Sequence, residues 1–192
     1  MERAWLLLLL GALGALGAAG CAQERRKPDD CGPTERVVDP KLLAFLSAAR
    51  SAHHVADQRE ASGDAAAALR ALQGLADGPK PPGDAPEVSE VLADTRARIA
   101  DLLSRSGRFD QAAQEIEAGL DSARSPSYFR GHLFEVRGLV EERREKALRS
   151  TGRGKEADQA RERSLSAYEE AMKIQAAVIQ EAAPAPSAAP PP

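Results

Sequence analysis

Three glycine-centred breaks, at Gly63, Gly107 and Gly152, divide the middle of this chain at intervals of 44 and 45 residues (107 − 63 and 152 − 107). Each lies between two stretches whose apolar residues recur three or four positions apart, the period of one helix face. Even spacing of helix–turn–helix units is a strong constraint, because one such unit cannot bury its apolar side alone and must be covered by the next. The expectation is an all-α chain of three antiparallel helix hairpins, stacked as a short α-solenoid. The alternative is a plain helical bundle whose turns happen to fall evenly. Aromatic residues make up only 4% of the sequence and alanine is abundant, so helix faces must meet closely on small side chains.

The helical pattern begins at Asp39-Pro40, a capping acid followed by proline in the first turn. Leu42, Phe45, Leu46, Ala49, Ala52 and Ala56 carry the first stripe, and Ala65, Ala68, Leu69, Leu72, Leu75 and Ala76 the second. Gly78 to Gly83 is a proline–glycine break. Asp84 and Glu87 have the spacing of a capping box for a third helix with stripe Val88, Val91, Leu92, Thr95, Ile99, Leu102 and Leu103. A fourth helix is expected after Asp110. A fifth is expected to be capped by Ser125-Pro126, and a sixth to run from about Lys155 to Ala182. No segment reads as a strand. Residues 183–192 form a Pro/Ala tail that cannot build a core.

The middle unit resembles a tetratricopeptide repeat. Ala100, Leu103, Gly107, Phe109, Ala112, Ile116 and Gly119 fall at the spacing of that family. The first unit matches less fully, with Arg59 where a large apolar residue is usual. In the third, Gly152 comes fourteen residues after Gly138, against seven between Ala100 and Gly107. The resemblance covers roughly residues 42 to 182, within a tetratricopeptide-like domain over 39–182, and implies binding of a protein or peptide. It also implies that the first helix of each unit lines a concave face. Carried onto this sequence, the groove positions are Arg50, His53 and Asp57, then Asp94, Asp101 and Arg105, then His132, Glu135 and Glu142. Acids predominate among them, so a partner segment of basic character is expected. The late third turn leaves residues 141–163 rich in charge, with Glu142–Lys146 and Glu145–Arg149 at helical pair spacing. They read either as a charged arm projecting past the core or as a solvated face.

The first twenty residues carry Arg3, an apolar run from Trp5 to Leu10, and a Gly/Ala/Leu stretch ending in Ala18-Ala19-Gly20-Cys21. This resembles the signal and lipobox of bacterial lipoproteins, with Ala18 where that family commonly has Leu. The resemblance implies a signal peptide over 1–20 and lipidation of Cys21. Residues 21–38 then form a flexible tether, and Ala22 is compatible with the outer membrane. A plain secretory signal and an uncleaved anchor are the alternatives. Cys31 then either stays an idle thiol, pairs between chains or, under plain secretion, closes a loop with Cys21.

The residues offer little chemistry. The formal charge of −3 does not suggest a nucleic-acid partner. His53 and His54 are adjacent, hence about 100° apart on a helix, and not an i, i+4 metal pair. Gly152-Arg153-Gly154-Lys155-Glu156 looks like a phosphate loop but follows a helix and has Glu where Ser or Thr is needed. No Gly-x-Ser-x-Gly elbow occurs. No cofactor, metal or small-molecule substrate is expected. The sequence thus points to a lipid-anchored, non-enzymatic adaptor of the bacterial cell envelope. The rivals are a spacer or envelope-linking lipoprotein without a groove, a secreted helical protein that carries no lipid, and a small-ligand sensor.

Overall fold

The structure, a computed structural model, describes residues 39–182; the signal, Cys21, the tether, Cys31 and the Pro/Ala tail lie outside the described residues. Every regular element among the described residues is an α-helix: α1 (Pro40–Ala61), α2 (Ala65–Asp77), α3 (Pro86–Arg105), α4 (Phe109–Ser122), α5 (Tyr128–Ser150) and α6 (Gly154–Ala182). None is long and apolar enough to cross a membrane.

The three glycine breaks are one turn used three times. Gly63, Gly107 and Gly152 have φ of +80°, +76° and +77°, the left-handed region that side chains with a Cβ rarely enter. At each, the glycine N–H donates three residues back and the next N–H donates five back. Gly107 reaches Ser104 at 3.0 Å and Arg108 reaches Leu103 at 3.0 Å; Gly63 and Asp64, and Gly152 and Arg153, repeat this. Two orphan carbonyls at each helix end are satisfied in this way, as in a Schellman cap. The next helix starts within two residues.

Side-chain caps set the starts of α1, α2 and α5. Asp39 accepts from the Lys41 amide at 2.8 Å, with Pro40 in the first turn. Asp64 accepts from the Ala67 amide at 2.9 Å. Two expected caps are corrected. Ala85 occupies the α3 cap and makes no side-chain cap bond, so the Asp84–Glu87 box does not form. Ser127, rather than Ser125, caps α5 and accepts from the Arg130 amide at 3.1 Å.

α3 is the hub, touching α1, α2, α4 and α5. No residue from Val88 to Ser104 is exposed. The expected stripe was therefore too narrow: Ala93, Ala97 and Ala100 are fully buried as well, because the helix is covered from several sides. The main core joins them to Leu72, Ile99, Leu103, Ile116, Leu133 and Val140. A second cluster, Phe45, Ala49 and Leu75, packs with Leu46, Val88 and Leu92.

Small residues set the closest approaches. A Cβ on Gly138 would lie 2.7 Å from the Tyr168 ring, and one on Gly119 would lie 2.7 Å from the Leu133 side chain. Gly119 therefore admits α5, not only the partner helix of its own unit.

The stretch 141–163 is anchored at its base rather than projecting freely. Ala157 and Ala160 are fully buried. Glu141 accepts from Arg163 at 2.8 and 3.0 Å. The Arg144 guanidinium lies 5.6 Å from the Phe109 ring centre and donates to Asp110 at 2.9 Å. Residues 149–156, around Gly152, are all exposed, and the Glu142–Lys146 and Glu145–Arg149 pairs form as their spacing predicts.

Candidate functional site

The nine groove positions fall on α1, α3 and α5, and these helices touch in series, α1 with α3 and α3 with α5. Most of them are engaged with one another or with arginines that the sequence did not single out.

His53 is half-buried on α1. Its Nε2 lies 3.0 Å from the hydroxyl of Thr95, a fully buried residue whose own proton goes to the Val91 carbonyl at 2.7 Å. Thr95 is thus an acceptor toward His53, which assigns the neutral imidazole proton to Nε2. Nδ1 faces Asp94 at 4.0 Å. Desolvation pushes the His53 pKa below its ordinary 6.5. Asp94 opposes that shift, and Arg98 adds to it. With Arg50, Ser51, His54 and Asp57, His53 lines an open depression of about 510 Å³.

Asp57 is bound by Arg98 at 2.6 Å, and the same guanidinium donates to Glu60 at 2.5 Å. Glu60 also meets Arg105 at 3.3 Å. Asp101 lies between two arginines, Arg105 at 2.5 Å and Arg143 of α5 at 2.7 Å. Arg143 further donates to the buried Ser104 hydroxyl at 2.6 Å. A continuous charge ladder thus runs from α1 through α3 to α5. Its Arg98 and Arg143 rungs answer acids that the sequence pattern had left for a partner.

On α5, His132 Nδ1 lies 3.2 Å from Glu135, and the His132 ring stacks on Tyr128 with centroids 6.1 Å apart. Glu142 accepts from Lys146 at 2.7 Å and from the Tyr168 hydroxyl at 3.4 Å. The Lys146 ammonium holds its carboxyl below the usual range. The least engaged acids of the set are Asp94 and Glu135, with side chains 43% and 46% exposed.

The face therefore presents fixed charges of both signs and two imidazoles. Among the described residues no three His, Cys, Asp or Glu side chains are grouped to hold a metal ion. A largely apolar concavity lies elsewhere, between α1, α2 and the segment 78–82. It has a volume of about 670 Å³ and is lined by Phe45, Leu75, several alanines, Lys41 and Lys80. Compared with protein-family models, curated proteins and solved structures, this chain matches none.

Proposed function

We propose that this chain is a lipid-anchored adaptor of the bacterial envelope, with the outer membrane favoured. Its helix hairpins stack as a short tetratricopeptide-like solenoid and dock a protein or peptide on the face formed by α1, α3 and α5. The observation that carries the reading is the pattern of helix contacts. α1 touches α3 and α3 touches α5, whereas α2 does not touch α4 and α4 does not touch α6. A row whose first helices meet and whose second helices splay is curved, with the first helices inside. The nine groove positions lie on these first helices, α1, α3 and α5.

The partner is a segment with basic groups that meet Asp94 and Glu135, the two acids of the set that face only a histidine and no lysine or arginine. Such contacts weaken as salt rises. The saturation of Asp57, Asp101 and Glu142 by internal partners favours a second reading, an envelope spacer with no defined groove.

The test is recovery of partners from detergent-solubilised envelopes with the full chain and with a D94N/E135Q variant. One or two stoichiometric partners, lost with the variant, support the adaptor. Equal recovery moves docking off this face, and no partner at all supports the spacer. The anchor is tested separately: Cys21→Ala should abolish fatty-acid labelling. Labelling equal to that of the native chain rejects the lipobox.

A further inference from the structure

The internal helices follow a rule that the last one breaks. α2 is covered by its own partner and by α3, and α4 by its own partner and by α5. α6, the longest helix at 29 residues, touches only α5. The uncovered side carries three large apolar residues among charged ones. Leu165, Met172 and Ile179 are 54%, 61% and 70% exposed and stand seven residues apart, so they form one stripe along the helix.

The stripe occupies a place that is filled elsewhere in the molecule. On α4, Ala112 and Gly119 are seven apart and buried, and the next residue, Leu120, is 8% exposed in a core shared with Leu133 and Val136 of α5. On α6, Ser164 and Ala171 repeat that spacing and are buried. The residue after Ala171 is Met172, and among the described residues nothing covers it. The Met172 position is where a following helix would lie.

We infer that a second copy of this chain supplies that helix, through antiparallel pairing of α6 with its counterpart. The argument is symmetry. The three stripe residues are evenly placed about Met172, so a two-fold axis there sets Leu165 against Ile179 of the other copy and Met172 against itself. The same axis sets Glu169 against Gln175, which brings no like charges together. From Ile174 to Gln180 the helix carries no charged residue, in a chain that is 29% charged. The chain's own tail cannot serve as the covering helix, because Pro184, Pro186 and Pro190 interrupt it. α1 does not offer a matching face. Its exposed Leu43 and Val55 are twelve residues apart, about 120° around the helix, with Arg50 and His54 lying among them.

The paired stretch, fifteen residues from Leu165 to Ile179, spans about 21 Å and buries on the order of 1,000 Å² in total, in the range of weak, transient interfaces. The dimer is therefore weak and reversible. This inference goes beyond the groove reading and does not rest on it.

Disulfide trapping of the full chain in non-ionic detergent tests it, in a Cys31→Ser background that itself serves as control. Met172→Cys should give a covalent dimer that the background lacks. Leu165→Cys and Ile179→Cys should link to each other on mixing and little to themselves. Self-linking of both would mean parallel pairing and would overturn the proposal. So would a Met172→Cys chain that links only to a Leu43→Cys chain, or not at all. Sedimentation gives a second readout: Met172→Glu should weaken self-association at least about tenfold with unchanged helicity. Unchanged association would place the contact elsewhere.

Discussion

Where the first helix pair meets α3, the polar part of the contact is an imidazole on a hydroxyl, His53 on Thr95, beside carboxylates held by Arg98 and Arg105. Where the second pair meets α5, four arginines of α5 do the joining. Arg143 and Arg144 take Asp101 and Asp110, and Arg137 takes Glu117 while lying 5.1 Å from the Phe134 ring centre. Arg130 donates to the Leu120 and Ala123 carbonyls at 3.2 and 2.8 Å, closing the end of α4. Both junctions put the guanidinium on the later pair and the acceptor on the earlier one, so each has a direction. They differ in that the first carries an imidazole whose pKa burial pushes below its ordinary value. The second lays guanidinium groups over aromatic rings.

That contrast can be tested in decreasing order of effect. Leu133 is fully buried at the second junction, against Gly119. Leu133→Ala should cost about 2–5 kcal/mol in urea denaturation. A loss below about 1 kcal/mol would mean that the arginines, not packing, hold α5. Next comes Asp101→Lys, which sets an ammonium between Arg105 and Arg143 and should cost about 1–3 kcal/mol. Adding Arg143→Glu should restore most of it, and a failure to do so would remove the ladder's role in joining α3 to α5.

The smallest effect belongs to the first junction. The folded pKa of His53 lies below 6.5, so in the window beneath that value the unfolded chain binds more protons than the folded one. Its contribution is therefore complete above that window and declines as the pH falls through it toward the folded value. His53→Asn should flatten the fall in melting temperature between about pH 7 and pH 5. An identical slope in both proteins would show that the first junction does not sense pH.

The turns were legible in the sequence because their cause is local: only glycine enters φ near +77° without strain, and each of the three sits where a period breaks. The α1 start was legible for the same reason, Asp39 beside Pro40. The α3 and α5 caps were misplaced because several Asp and Ser residues nearby satisfy the same local rule. All nine groove positions fell on helices that touch in series, yet their state was not legible. Arg98 lies 41 residues from Asp57, and Arg143 lies 42 from Asp101. No pattern of period three or four connects residues so far apart. The i, i+4 pairs, by contrast, could be read directly and formed.

The recurrent turn has one further consequence, for length. The α5–α6 pair has fourteen residues between Gly138 and its turn, where the α3–α4 pair has seven between Ala100 and Gly107. Seven residues advance a helix by two turns less about 20°, so adding seven to each arm leaves the packing faces almost where they were. Since the closing turn depends only on its own carbonyls and one glycine, it can be carried outward unchanged. Insertions and deletions in such a chain are thus tolerated in heptad steps, and a pair can grow outward from the packed row without rebuilding it.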